Sequence, residues 1–124
     1  MNIPDSLYYT KEHEWLSIKN NVATIGITDY AQSELGDVIY IDFIEIGTDC
    51  KIGEVIGTIE AVKTVSDIYT PIQGTLSRIN TDLEENPDFI NNDPYGAGWI
   101  IKLNSINKDY SKLLSADEYK KIIQ

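Results

Sequence analysis

A single cysteine, a single histidine and a single methionine in 124 residues exclude several common chemistries. With Cys50 alone, no disulfide can close within the chain, and a reducing compartment is the simpler expectation. Its one basic neighbour is Lys51, so the thiol reads as a small, partly buried side chain and not as an activated nucleophile. His13 by itself cannot build a histidine-rich metal site or a serine-histidine triad. It reads as a structural or groove-lining residue. No nucleophile-elbow motif is present, and no glycine-rich loop leads into a helix, so Gly26, Gly53, Gly57 and Gly74 read as turn or close-approach positions. No stretch approaches the roughly 18 apolar residues of a membrane helix. Met1 to Tyr9 lacks both the basic and the apolar parts of a signal peptide. The sequence therefore reads as cytoplasmic, or as a form whose targeting peptide has been removed. Basic residues are also scarce: 10 against 20 acidic ones give a formal charge of −10. Such a field repels nucleic acid and anionic membranes and favours encounters with basic patches on partner proteins.

What the chain does contain is 42% hydrophobic residues, set out in short runs. That is enough for one core and too little for two, so residues 1–124 read as a single domain, ordered from about Pro4 onward. Apolar residues alternate or cluster over Trp15–Ile18, Val22–Ile27, Val38–Ile44, Glu54–Ile59, Val65–Tyr69, Thr75–Ile79 and Trp99–Leu103, the spacing of strands. Between them lie turn residues: Asn20-Asn21, Gly47-Thr48-Asp49, Gly53, Pro71 with Gly74, and Asn91-Asn92-Asp93-Pro94. A mainly β sandwich or small flattened barrel follows. Two helices interrupt it. Asp29 with Gln32 fits an N-cap and its reaching partner, with Gly36 closing that helix; Ser115 with Glu118 repeats the pattern before a C-terminal helix holding Tyr119, Ile122 and Ile123. Trp15 and Trp99 read as core or sheet-face anchors.

Only Ala61, Val62, Lys63 and Thr64 separate the strand ending at Glu60 from the one beginning at Val65. So short a connection implies an antiparallel hairpin with Lys63 at its apex, although no Asn-Gly or Asp-Gly pair marks the turn type. An apical amine is open to modification while its base is held by two strands. Acylated with a prosthetic group, it becomes a tether of about ten bonds at about 1.5 Å each, a reach on the order of 14 Å, and it loses its positive charge. On placement alone, an ordinary exposed turn lysine is the better reading, because lysines are common in loops and short motifs match by accident.

The residues around the apex add more. Glu60-Ala61-Val62-Lys63-Thr64-Val65-Ser66-Asp67, followed by Pro71-Ile72-Gln73-Gly74, resembles the lipoylation segment of the glycine cleavage system H proteins. Tyr9, His13-Glu14-Trp15, Ala23 to Gln32 and Leu35-Gly36-Asp37 resemble the N-terminal half of that family; Asn86-Pro87, Ile90-Asn91, Pro94-Tyr95, Gly98-Trp99-Ile100 and Lys102 resemble its C-terminal half. The resemblance implies a barrel-sandwich hybrid fold with short peripheral helices and a lipoate covalently attached to Lys63. It implies a non-catalytic carrier that takes an aminomethyl group from glycine decarboxylase (the P protein) to aminomethyltransferase (the T protein). Dihydrolipoyl dehydrogenase (the L protein) reoxidises the arm, and a separate lipoylating enzyme installs it. A lipoyl relay protein, which hands its lipoyl group to other apoenzymes, uses the same lysine on the same hairpin and is the alternative.

Two positions depart from the family pattern: Ala61 stands where serine is frequent, and Glu12 where a small polar residue is frequent. Other carriers fit less well. Biotin carriers set the lysine between methionines, whereas Val62 and Thr64 flank Lys63; lipoyl domains of 2-oxoacid dehydrogenases usually place aspartate before it. A loaded arm ends in an amine, which a carboxylate in its docking groove would pair with and shield from water. Glu14 is the first candidate, followed by Asp67 and Glu12. Glu60, Ser66 and Asp67 are candidates for recognition by the lipoylating enzyme, although Glu60 could simply pair across the strands.

Overall fold

In the computed structural model, which describes residues 1–105 and 110–124, the alternating segments become strands of two antiparallel sheets. The larger runs in the order β1 (Tyr8–Tyr9), β2 (Glu14–Lys19), β3 (Val22–Ile27), β9 (Ile101–Ser105), β8 (Gly74–Ile79), β5 (Asp49–Cys50). The smaller runs β4 (Val38–Phe43), β6 (Val55–Ala61), β7 (Val65–Tyr69). Among the described residues the sheets do not close into a barrel; they stack as a mainly β sandwich, with short helices at the periphery. β-branched residues dominate the inward faces because successive side chains alternate sides and branched ones fill a pleated surface well. Leu16, Ile25, Leu76 and Leu103 from the larger sheet meet Ile41, Ile56, Ile59 and Ile68 from the smaller one, all buried in one cluster. Burying each such side chain contributes about 1.5–3 kcal/mol before the entropy of ordering is counted.

β2 is covered on both faces. Leu16 enters the core between the sheets, while its neighbour Trp15 enters a second cluster with Ile3, Tyr9, Ala116 and Tyr119 beneath the C-terminal helix α3 (Ala116–Ile122). Ser115 caps α3 through the expected box with Glu118, and Ile123 is the residue that closes it. The first helix, α1 (Asp29–Leu35), is capped differently from the sequence expectation. Thr28, not Asp29, is the N-cap: its backbone is extended and its Oγ1 accepts from the Ala31 N–H at 3.1 Å. Asp29 is the first helical residue, and Gln32 Nε2 donates to its Oδ1 at 2.8 Å. The expected turn at Asn91-Asn92 is instead the end of a one-turn helix, α2 (Phe89–Asn92). The last strand begins two residues later than expected, because Trp99 N–H bonds back to the Gly96 carbonyl in a turn. β1 and β5 are two residues each, too short to register as alternation.

Gly26 lies opposite Trp15 across β2 and β3, and a Cβ placed there would sit 2.6 to 2.8 Å from the indole ring. The close approach lets Trp15 Nε1 donate to the Pro94 carbonyl at 3.0 Å. Gly26→Ala is therefore expected to cost roughly 1–3 kcal/mol through overpacking, read as a lower urea midpoint; an unchanged midpoint would mean that the ring moves aside freely.

Candidate functional site

The β6–β7 hairpin closes with the Ala61 N–H on the Thr64 carbonyl at 2.9 Å. Its tip is also fastened from outside, by the Val62 N–H donating to the Asp37 carbonyl at 2.9 Å. Lys63 is exposed at this apex, and among the described residues no hydrogen bond or ion pair occupies its Nζ. Its aliphatic stem crosses Gly36, where an added Cβ would lie 3.3 Å from Lys63 Cε. Gly36 also has φ +77°, a conformation that side chains with a Cβ resist, so glycine serves both the chain reversal after α1 and the passage of the lysine.

Alternation then sets out a track. Val65, Asp67 and Tyr69 are the exposed residues of β7, on one face, and Tyr69 reaches a cleft of about 670 Å³. From Lys63 to Tyr69 the chain covers at most about 20 Å at roughly 3.4 Å per residue, of the same order as the roughly 14 Å reach of an acylated lysine. One side of the cleft is lined by Thr10, Lys11, Glu12 and Glu14, another by Lys112, Leu113 and Leu114, with Ile52, Gly53, Thr70 and Pro71 completing it. Of the candidate carboxylates, the fold brings Glu14 and Glu12 into this cleft and sets Asp67 on the track leading to it. Asp67 accepts from Thr58 Oγ1 at 2.9 Å. Glu60 is exposed beside Val65, whereas Ser66 is half-buried opposite the buried Ile59, on the other face from Glu60 and Asp67.

Glu14 is 2% exposed, unusual for a carboxylate. Its Oε1 accepts from Thr10 Oγ1 at 2.7 Å and its Oε2 from the Tyr69 N–H at 3.1 Å, so one side chain ties the start of β2 to the end of β7. Burial pushes its pKa up to about 7, against those two hydrogen bonds, which favour the charged form. Thr10 and Tyr69 are the site residues that sequence reasoning missed. His13 turns away from the cleft, and its Nδ1 meets Tyr119 Oη at 2.8 Å. Cys50 is buried, with its thiol pKa pushed up by burial, which disfavours the reactive thiolate. Trp15 is a core residue, and Trp99 lies under Arg78 and Lys102 at 5.8 and 5.1 Å.

Residues 7–124 match the family model described as glycine cleavage H-protein. The chain belongs to this family. Among similar proteins, the glycine cleavage system H protein of Salinibacter ruber is 48% identical over 123 residues, covering 98% of this chain and 99% of its own length. That of Bacteroides fragilis is also 48% identical, over 124 residues, covering 99% and 98%. The crystal structure of a glycine cleavage system H protein from Mycobacterium marinum superposes with a TM-score of 0.89 at 35% identity, covering 96% of this chain and 97% of that one. The resemblance read from the Lys63 segment thus holds over nearly the whole chain, and the barrel-sandwich expectation holds with it. Like the rest of the H-protein family, this member is a lipoyl carrier component of glycine cleavage and not an enzyme in its own right.

The Glu14 carboxyl gives a pH signature. Below about 4.5 it is protonated whether the chain is folded or not, and its burial carries no charge penalty. As pH rises from there, the unfolded chain loses the proton first, so this group lowers stability progressively until about 7 and no further. Compared with Glu14→Gln, the wild-type protein is expected to lose stability between roughly pH 5 and 7.5 in urea melts, then to run parallel. A difference independent of pH would contradict the burial argument.

Proposed function

We propose that Lys63 is the lipoyl attachment site of this H-protein family member, and that the cleft beside Glu14 receives the arm when it is loaded with the aminomethyl group of glycine. The observation that carries this reading is the exposed amine, without a hydrogen-bond or ion-pair partner among the described residues, on an apex closed by its own hairpin bond and tied to Asp37 from outside. The residues present suit such a group. Ile52, Pro71, Leu113 and Leu114 offer apolar walls to a hydrocarbon chain, and Glu12 and Glu14 offer negative charge to an amine at its end. Bound lipoate supplies a reducible disulfide on a flexible acyl chain.

The protein's own contribution is positional. The hairpin holds the base of the arm and leaves its length free to visit glycine decarboxylase, aminomethyltransferase and dihydrolipoyl dehydrogenase in turn. Asp67 lies on the path back to the cleft, where water is thinned and Glu14 can accept from the amine as a third donor. Glu60 and Asp67, exposed on one face near the apex, are suited to recognition by the lipoylating enzyme; Ser66 faces the other way. We read residues 1–124 as one carrier domain working in the cytoplasm. Its relatives bear the glycine cleavage name, and no observation favours a lipoyl relay.

Incubating the protein with lipoate, ATP and a lipoylating enzyme is expected to add the mass of one lipoyl group, mapped by peptide mass to Lys63, and to add nothing to Lys63→Arg. A full mass gain in Lys63→Arg would overturn the assignment.

A further inference from the structure

Two separate stretches of chain wall the cleft, and both are held by one residue outside it. Residues 10–14 form a tight loop: the His13 N–H bonds to the Thr10 carbonyl at 3.1 Å, the His13 carbonyl accepts from the Thr28 N–H at 3.0 Å, and His13 itself has φ +71°. Residues 112–114 end in a bridge to β1, with Tyr9 and Leu114 exchanging backbone hydrogen bonds at 2.8 Å in both directions. Tyr119 of α3, fully buried, meets the first stretch directly at His13 and the second through Tyr9, the partner of Leu114. Its ring stacks on Tyr9 at 4.9 Å with 10° between the planes. Its hydroxyl lies 2.8 Å from His13 Nδ1 and 2.7 Å from Thr28 Oγ1.

We propose that Tyr119 is a positioning residue for the arm: from the C-terminal helix it sets the spacing of the two cleft walls, the Thr10–Glu14 loop and the Lys112–Leu114 segment. The inference rests on the reading that the loaded arm docks in this cleft. Each contact has a distinct consequence. Stacking on Tyr9 fixes the residue whose backbone carries Leu114 and whose neighbour, Thr10, donates to Glu14. The hydroxyl fixes the loop itself. Thr28 Oγ1 already accepts from Ala31 N–H, so its own proton is free to go to Tyr119 Oη, which then donates to His13 Nδ1. That direction requires neutral His13, and burial holds the His13 pKa below its ordinary value. Loss of the hydroxyl leaves the His13 ring nitrogen and the Thr28 hydroxyl proton each without this partner while the stacked ring stays in place.

The test uses full-length protein in three forms: wild type, Tyr119→Phe, and Ile100→Val as a core-trimmed control distant in role from the cleft. Two quantities are read. In the unmodified proteins, amide hydrogen exchange at Leu114, Glu14 and Tyr69 is expected to speed up in Tyr119→Phe by at least about fivefold, the factor carried by one of the two lost hydrogen bonds, and not in Ile100→Val. In the lipoylated and loaded proteins, loss of the aminomethyl group to water is expected to rise by a similar factor in Tyr119→Phe alone. Exchange at those amides equal in the two variants would overturn the positioning role. Faster exchange with unchanged aminomethyl loss would instead overturn the docking of the arm in the cleft, and with it the use of Tyr119 in holding the arm. The Lys63 assignment stands apart from both outcomes, because lipoyl attachment is read by mass before loading.

Discussion

The hydrogen bond from the Val62 N–H to the Asp37 carbonyl, 2.9 Å long, is the contact on which the rest of the molecule's usefulness depends. A hairpin tip in water is ordinarily the loosest part of a sheet, with few partners for its backbone. Here the tip is fastened to the chain leaving α1, and the Lys63 stem runs across Gly36 at the same point. The backbone is fixed while the amine beyond it has no hydrogen-bond or ion-pair partner among the described residues. A carrier needs both conditions. A mobile base would spread the arm over more volume and lower its effective concentration at each partner, and a captured amine could not be acylated.

A second constraint acts at the other end of β7. Glu14 has almost no access to water, yet it accepts from Thr10 and from the Tyr69 backbone, and so joins the larger sheet to the smaller one beside the cleft. A buried carboxylate with two hydrogen-bond donors and no cation is costly in its charged form, which is why its pKa rises to about 7. An arriving ammonium group would relieve that cost. On the proposed docking, the same feature that weakens the protein at neutral pH would favour an amine-bearing arm, a trade of stability for binding of the kind found at functional sites.

Local signals are legible in this sequence and long-range ones are not. The hairpin can be read because two alternating segments flank a short gap, and that pattern fixes both the pairing and the apex. The C-terminal helix can be read because Ser115 and Glu118 form their capping box within one turn. Thr28 and Asp29 are both good capping residues, and only the extended backbone at Thr28 decides between them. The cleft is hidden from such reading. Glu14 meets Tyr69 across 55 positions of sequence, and His13 meets Tyr119 across 106, so nothing near any of them announces the contact. The family resemblance supplies Glu14 as a candidate, but it does not indicate that the carboxylate is buried or what holds it.

The most direct measurement of the carrier role is exchange of labelled bicarbonate into the carboxyl group of glycine by glycine decarboxylase, with this protein as the only carrier. The fully lipoylated form is expected to support exchange that saturates with carrier concentration, and the unlipoylated form none. If the lipoylated form supports no exchange, yet passes its lipoyl group to an apo 2-oxoacid dehydrogenase, the carrier role in glycine cleavage is contradicted.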